Sequence, residues 1–295
     1  MATFGVGLPG PVGAVPSELV RAGVANAGRL GGRSGDRDIV SSGWPALDRL
    51  LAGGGVRRGG LIEWLAGERG AADAGCGSGA ATLACAVACR LAAASRAGSD
   101  ATGGGLIVVV DRAGWFHPPA VLPWLGTGGS CASRIVVARP SRDDDEIWTV
   151  EQSLRCAGVA AVVAWPRLAS AWTVECGVAA ERGLAGRGGF WRWTTAMRRW
   201  QLASRSGGAT GLLVRSPTAI GEPSWAESRL AVSALPGSSL LERRLRVARV
   251  GGAWCGVEAA SGRPADIVLD LARGRPVDER RPAAVAAGGA SCRAS

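Results

Sequence analysis

LIEWLAGERGAADAGCGSGAATLACAVACRLAAA, residues Leu61–Ala94, holds the reading that decides the fold. Its first five residues are a short apolar run rich in β-formers, the signature of a buried strand. A thirteen-residue stretch, Gly67–Gly79, then interrupts the pattern with glycine. Beyond it Ala80–Ala94 is apolar nearly all round, relieved only by Thr82 and Arg90, as expected of a helix enclosed between a sheet and its neighbours. Strand, glycine-rich loop and helix in that order are the setting in which helix N-terminal backbone N–H groups cradle phosphate.

Outward from this unit, short apolar runs alternate with helical patterns. Strands are expected at Leu106–Val110, Ile135–Ala138, Val159–Trp165 and Thr210–Val214. Helices are expected at Asp143–Ala157 and Trp191–Ser206. The first opens with Asp143, Asp144, Asp145 and Glu146, where the helix dipole favours anions, repeats Ile147, Val150 and Leu154 on one face, and stops before Gly158. The second places Trp193, Met197, Trp200 and Ser204 on one stripe, with arginines elsewhere, and ends at Gly207-Gly208. Such alternation implies an α/β fold, a mainly parallel sheet with helices on both faces. Arg229–Ser233, Leu245–Val250 and Ala253–Glu258 read as further strands, the last two joined at Gly251-Gly252 as a hairpin, giving a C-terminal antiparallel extension.

The organisation expected is a flexible leader over 1–35 with a short helix near Ser17–Ala25, a core over 36–236, a β-hairpin extending it over 237–262, and a flexible basic tail over 263–295. The tail carries few large apolar groups after Leu271, too few to offset chain entropy. A 47% hydrophobic content and mean hydropathy of +0.16 fit a globular chain, and no apolar run reaches the roughly eighteen residues that span a bilayer. A soluble, unexported, cytoplasmic protein is the expectation, with no membrane partner. Eight cysteines lack C-x-x-C spacing and His117 is the only histidine, so no metal set at standard spacing is expected.

The formal charge of +10 favours nucleic acid or an acidic protein as partner. All 34 basic residues are arginine, and this composition reflects in part a GC-rich coding bias. The absence of lysine bears directly on the glycine-rich loop. In G-x-x-x-x-G-K-[ST] the lysine neutralises phosphate charge and the hydroxyl holds magnesium. Here Gly75, Gly77, Ser78 and Gly79 are followed by Ala80 and Ala81, and Thr82 stands one position late. An arginine would have to replace the lysine, with Arg69 the nearest in the loop. On their own these glycines would equally make a tight turn into a helix.

A longer string carries a resemblance. Ser41-Ser42-Gly43, Leu47-Asp48, Leu50-Leu51, Gly53–Val56, Gly59-Gly60 and Leu61-Ile62-Glu63 resemble the entry to the RecA core. Arg198–Ala203, Gly207-Gly208, Gly211–Arg215, Ser224, Ala226, Arg229, Leu230, Arg246-Val247 and Arg249–Gly252 look like the ImuA family of RecA-like bacterial mutagenesis proteins. Together they span about residues 38–260. The resemblance implies a RecA-like P-loop NTPase core and a role in SOS-induced DNA damage tolerance by translesion synthesis. The implied partners are a Y-family-like polymerase adaptor and an error-prone C-family DNA polymerase.

Family ATPases carry a glutamate shortly after the second strand, an aspartate ending the fourth and a glutamine after the fifth. Here Asp111 survives but Ala113 stands near the glutamate position, Trp165-Pro166 ends the next strand, and Arg215-Ser216-Pro217 follows Val214. With the lysine also missing, no catalytic residue and no obligatory cofactor is expected, and ATP held without hydrolysis is the remaining nucleotide role. Two alternatives stand beside this reading: an active DNA-dependent RecA-like ATPase and a SulA-type cell-division inhibitor. Single-stranded DNA or a protein partner is expected to meet Arg192, Arg198, Arg199 and Arg205 on the basic helix and Arg243, Arg244, Arg246 and Arg249 near the hairpin. Most of the twelve tryptophans sit at core positions, leaving Trp115, Trp124 and Trp225 as exposed candidates. Nucleoid association is compatible with this picture, and oligomeric state is open.

Overall fold

Alternation along the strands already assigns each side chain to one of two faces, and the computed structural model realises that assignment. It describes residues 38–66, 77–97, 105–125, 134–167, 187–236, 241–252 and 263–276, all within a unit running from Arg37 to Ser295. The expected leader, Gly75, Arg69 and the strand Ala253–Glu258 lie outside the described residues.

In chain order the elements are β1 (Ile39–Val40), α1 (Pro45–Asp48), β2 (Val56–Arg57), β3 (Leu61–Ala66), α2 (Ala80–Ala97), β4 (Leu106–Val110), β5 (Ile135–Ala138), α3 (Asp143–Arg155), β6 (Val159–Ala164), α4 (Arg187–Gly207), β7 (Thr210–Arg215), β8 (Ser228–Ala234), β9 (Glu242–Gly251), β10 (Ala265–Asp270) and β11 (Arg275–Pro276). β1 and β2 pair as a small antiparallel ladder. The other nine strands form one sheet in the order β11-β10-β9-β8-β3-β7-β6-β4-β5. From β8 through β5 every neighbouring pair is parallel, and β9, β10 and β11 add antiparallel.

Parallel strands need crossover connections, and the helices that make them bury both faces of the sheet. Ile62, Trp64, Val109, Val163, Leu212 and Leu230 point to α2, which contributes Leu83, Val87 and Leu91. Their neighbours Leu61, Val108, Val110, Val162 and Leu213 point the other way, to Ile147, Val150 and Leu154 of α3 and Trp193, Met197 and Trp200 of α4. Trp193 and Trp200 meet edge to face at 5.8 Å, and the Trp200 indole N–H donates to the Ile147 carbonyl at 3.1 Å. The two helices cross closely where α4 ends, since a Cβ on Gly207 would stand 2.1 Å from the Leu154 carbonyl oxygen.

Two expectations change. The strand expected at Arg229–Ser233 as part of the antiparallel extension is β8, and it runs parallel beside β3. The antiparallel partner found outside β9 is β10, from the segment expected to be tail. Composition averaged over 263–295 hid the compact run Ile267-Val268-Leu269, whose buried side chains repay its ordering. The Trp44 indole N–H adds a hydrogen bond of 3.0 Å to the Val268 carbonyl. Among the described residues no helix is long and apolar enough to cross a membrane.

Candidate functional site

In open α/β sheets ligands collect at the carboxyl ends of the strands, where successive connections leave in opposite directions. Here β4 continues outward to β5 while its other neighbour, β6, leads back toward β7. That divergence, together with the loop entering α2, marks the carboxyl end of the sheet as the candidate site.

The loop is described from Gly77. Gly77 and Gly79 have φ of +93° and +87°, left-handed backbone that a side chain would strain. Between them Ser78 is buried, and its Oγ accepts the Ala80 N–H at 3.1 Å, capping α2. Ala80 is fully buried, and Ala81 and Thr82 are half-buried. Strand β9 reaches across this turn. A Cβ on Gly79 would meet Leu245 Cδ2 at 2.4 Å and Arg243 Nε at 3.2 Å, and the Arg243 guanidinium donates to the Gly77 carbonyl. Arg243 thus stands at the loop, in a contact spanning 166 positions of sequence that no local pattern announces.

At the end of β4, the buried Asp111 carboxylate accepts the N–H groups of Trp115 at 3.0 Å and Phe116 at 2.8 Å. Both of its oxygens therefore close the following turn. Trp165, directly after β6, is buried and packs 6.4 Å from Phe116. Between these rings and the first turns of α2 lies a cavity of about 130 Å³, walled by Thr82 and Cys85 of α2 and by Trp115, Phe116, His117, Trp124 and Trp165. Burial pushes the Cys85 thiol up to about 12, so it remains neutral. Among the described residues the buried Trp124 Nε1–H has no hydrogen-bond partner.

Arg215, following Val214, ends β7 and points to α4. Its guanidinium lies 3.8 Å over the Trp193 ring and pairs with Glu63 at 3.1 Å and with Glu222. Glu63 takes a second guanidinium, Arg229, at 2.6 Å, and Arg229 also donates to the carbonyls of Ala219, Ile220 and Glu222. This buried quartet, two positive and two negative, ties β3, β7 and β8 to the turn Pro217–Gly221. Sequence reading passed over Glu63, although a carboxylate inside LIEWLA was a signal that buried cations lay nearby.

The basic helix is engaged with acids. Arg192 pairs with Asp144, Arg199 with Glu151, and Arg205 approaches Glu227 at 3.9 Å. Arg198 donates to Gln201 and lies 4.6 Å over the Trp225 ring. On β9 the alternation of side chains divides the expected cluster. Arg243 and Arg249 share the face of Leu245 and Val247, while Arg244 and Arg246 share the opposite one, where Arg246 binds Asp266 at 2.8 and 3.0 Å. The eight arginines therefore do not form one continuous basic patch. Comparison with protein-family models and with curated proteins finds no match to this chain.

Proposed function

We propose that the chain is a non-catalytic RecA-like accessory protein of SOS-induced DNA damage tolerance, similar to ImuA. It acts in translesion synthesis by binding a Y-family-like polymerase adaptor and an error-prone C-family polymerase, with single-stranded DNA as a further contact. The observation that carries the non-catalytic reading is the packing of Leu245 and Arg243 against Gly77–Gly79, in a loop whose lysine position is Ala80. A magnesium nucleotide does not fit these residues. The charge that would neutralise its phosphates is missing at Ala80, Trp165 fills the place of a magnesium carboxylate, and both oxygens of Asp111 are occupied by backbone N–H groups. Phosphoryl transfer relies almost wholly on such positioning and charge. The arrangement of a mainly parallel sheet with helices on both faces supports the RecA-like core.

Titration with ATP and magnesium, with and without single-stranded DNA, tests this by calorimetry and phosphate release. No turnover above the buffer rate is the expected result. Heat of binding without turnover would mark a retained nucleotide role, with Arg243 as its nearest described cation. DNA-stimulated phosphate release overturns the reading in favour of an active ATPase. Co-purification with the two polymerase partners, rather than with a tubulin-like division protein, separates the proposal from the SulA-type alternative.

A further inference from the structure

We propose that the free edge of β5 is a docking site for an extended segment of another protein, a short apolar strand bracketed by acidic residues. β5 is the last strand of the sheet, and among the described residues nothing pairs with its outer side. The Asp111 N–H donates to the Ala138 carbonyl at 2.9 Å, so the backbone of Ala138 faces β4. By the alternation of a strand, the backbone of Val136 faces β4 as well. The N–H and C=O groups of Ile135 and Val137 then point outward, placed to pair with one more strand. The side chains of Val136 and Val137 stand on opposite faces of the sheet and are 49% and 37% exposed, so neither layer of helices covers this rim. Sheet edges are ordinarily blunted by a bulge, a proline or a charge within the strand. The four residues Ile-Val-Val-Ala hold none of these, and their register with β4 runs unbroken from Ile135 to Ala138.

Local charge selects among occupants. Arg134 and Arg139 stand immediately before and after the strand, the first half-buried and the second exposed. The acids that follow, Asp143, Asp144 and Asp145, are paired with Arg112, Arg192 and Arg142, and among the described residues no carboxylate pairs with Arg134 or Arg139. A second copy of the chain is a poor occupant. Laid antiparallel in the register that pairs all four residues, it sets Arg134 against the partner's Arg139 at both ends, and like charges directly opposite destabilise a strand pair. A strand with an acid at each end places opposite charges there instead, in either direction, while its apolar centre covers Val136 and Val137. The site rests on β5 alone, so it stands or falls separately from the translesion reading.

The test is anisotropy of a labelled peptide, Glu-Val-Thr-Val-Ile-Glu, against its counterpart Lys-Val-Thr-Val-Ile-Lys, using the full chain at low salt. The acidic peptide is expected to bind about tenfold more tightly, the scale of two cross-strand charge pairs changed from repulsion to attraction. Arg134→Glu combined with Arg139→Glu reverses that order. Val137→Pro deletes an outward N–H that does not serve the sheet, a position where proline is tolerated, and removes most of the acidic peptide's binding. Circular dichroism checks that each variant is folded, and should the proline unfold β5, the charge reversal alone decides. Equal binding of the two peptides, or a preference unchanged by the charge reversal, overturns the proposal. So does a dimer in sedimentation equilibrium that Val137→Pro dissociates, because the edge then belongs to a second copy of the chain.

Discussion

The two faces of the sheet spend charge in opposite ways. Toward α2 the strand residues Trp64, Val109, Val163, Leu212 and Leu230 form an apolar layer. Toward α3 and α4 the same strands bury Glu63, Arg215 and Arg229, and the helices above are joined by Arg192–Asp144 and Arg199–Glu151. The difference teaches that arginine abundance is a poor guide to a binding face in this chain. On the α3–α4 side the cations are occupied in holding elements together, whereas the aromatic cavity lies on the apolar side, at the carboxyl end of the sheet.

The strongest way to break the comparison is at Glu63. Glu63→Ala strands two guanidinium groups in the interior and is expected to cost about 4 kcal/mol of unfolding free energy in a urea titration, as loss of one partner of a buried pair does. On the other face Leu83→Ala opens a cavity in the fully buried layer, at about 3 kcal/mol by the same measurement. If the two costs were reversed, the ionic quartet would be the more dispensable of the two cores.

A buried carboxylate at the start of α3 sharpens the contrast through pH. Burial raises the Glu146 carboxyl from 4.5 to about 7, against the opposing pull of the Arg167 N–H at 3.4 Å and of Arg112 at 4.0 Å. Between those two values the folded protein holds a proton that the unfolded chain has released. The contribution of Glu146 to stability is therefore greatest below pH 4.5 and is lost as pH rises through about 7. Glu146→Gln is expected to remove that decline and stabilise the protein at pH 8 by on the order of 2 kcal/mol, with little effect at pH 4, as read from paired denaturation curves. The smallest effect is expected at Arg192→Ala, since its bridge to Asp144 is exposed on both sides. Unfolding should shift by about 0.5 kcal/mol or less, and the shift should vanish in high salt.

Elements governed by local pattern were legible. Strands β3 to β7 and the helices α2 and α3 fall within three residues of their expected bounds, because apolar period and glycine punctuation act over a few positions. The interactions that define the site act over long separations. Glu63 meets Arg215 and Arg229 across 152 and 166 positions, so the LIEWLA carboxylate announces a need without naming what fills it. Arg243 was readable as part of a basic cluster, yet its seat against Gly77 depends on which strand lies next to β8. The strand β10 was hidden for another reason: its six residues were averaged with an arginine- and proline-rich sequence downstream.

The bond from the Trp44 indole to the Val268 carbonyl joins residues 224 positions apart. During synthesis the ribosome delivers Trp44 long before β10, so the outer edge of β9 must wait, open to pairing with another chain, until nearly the whole described sequence has emerged. Non-local pairing of this kind also slows folding in solution. The arrival of β10 and β11 therefore covers the outer edge of β9 and ends its exposure to edge-to-edge aggregation.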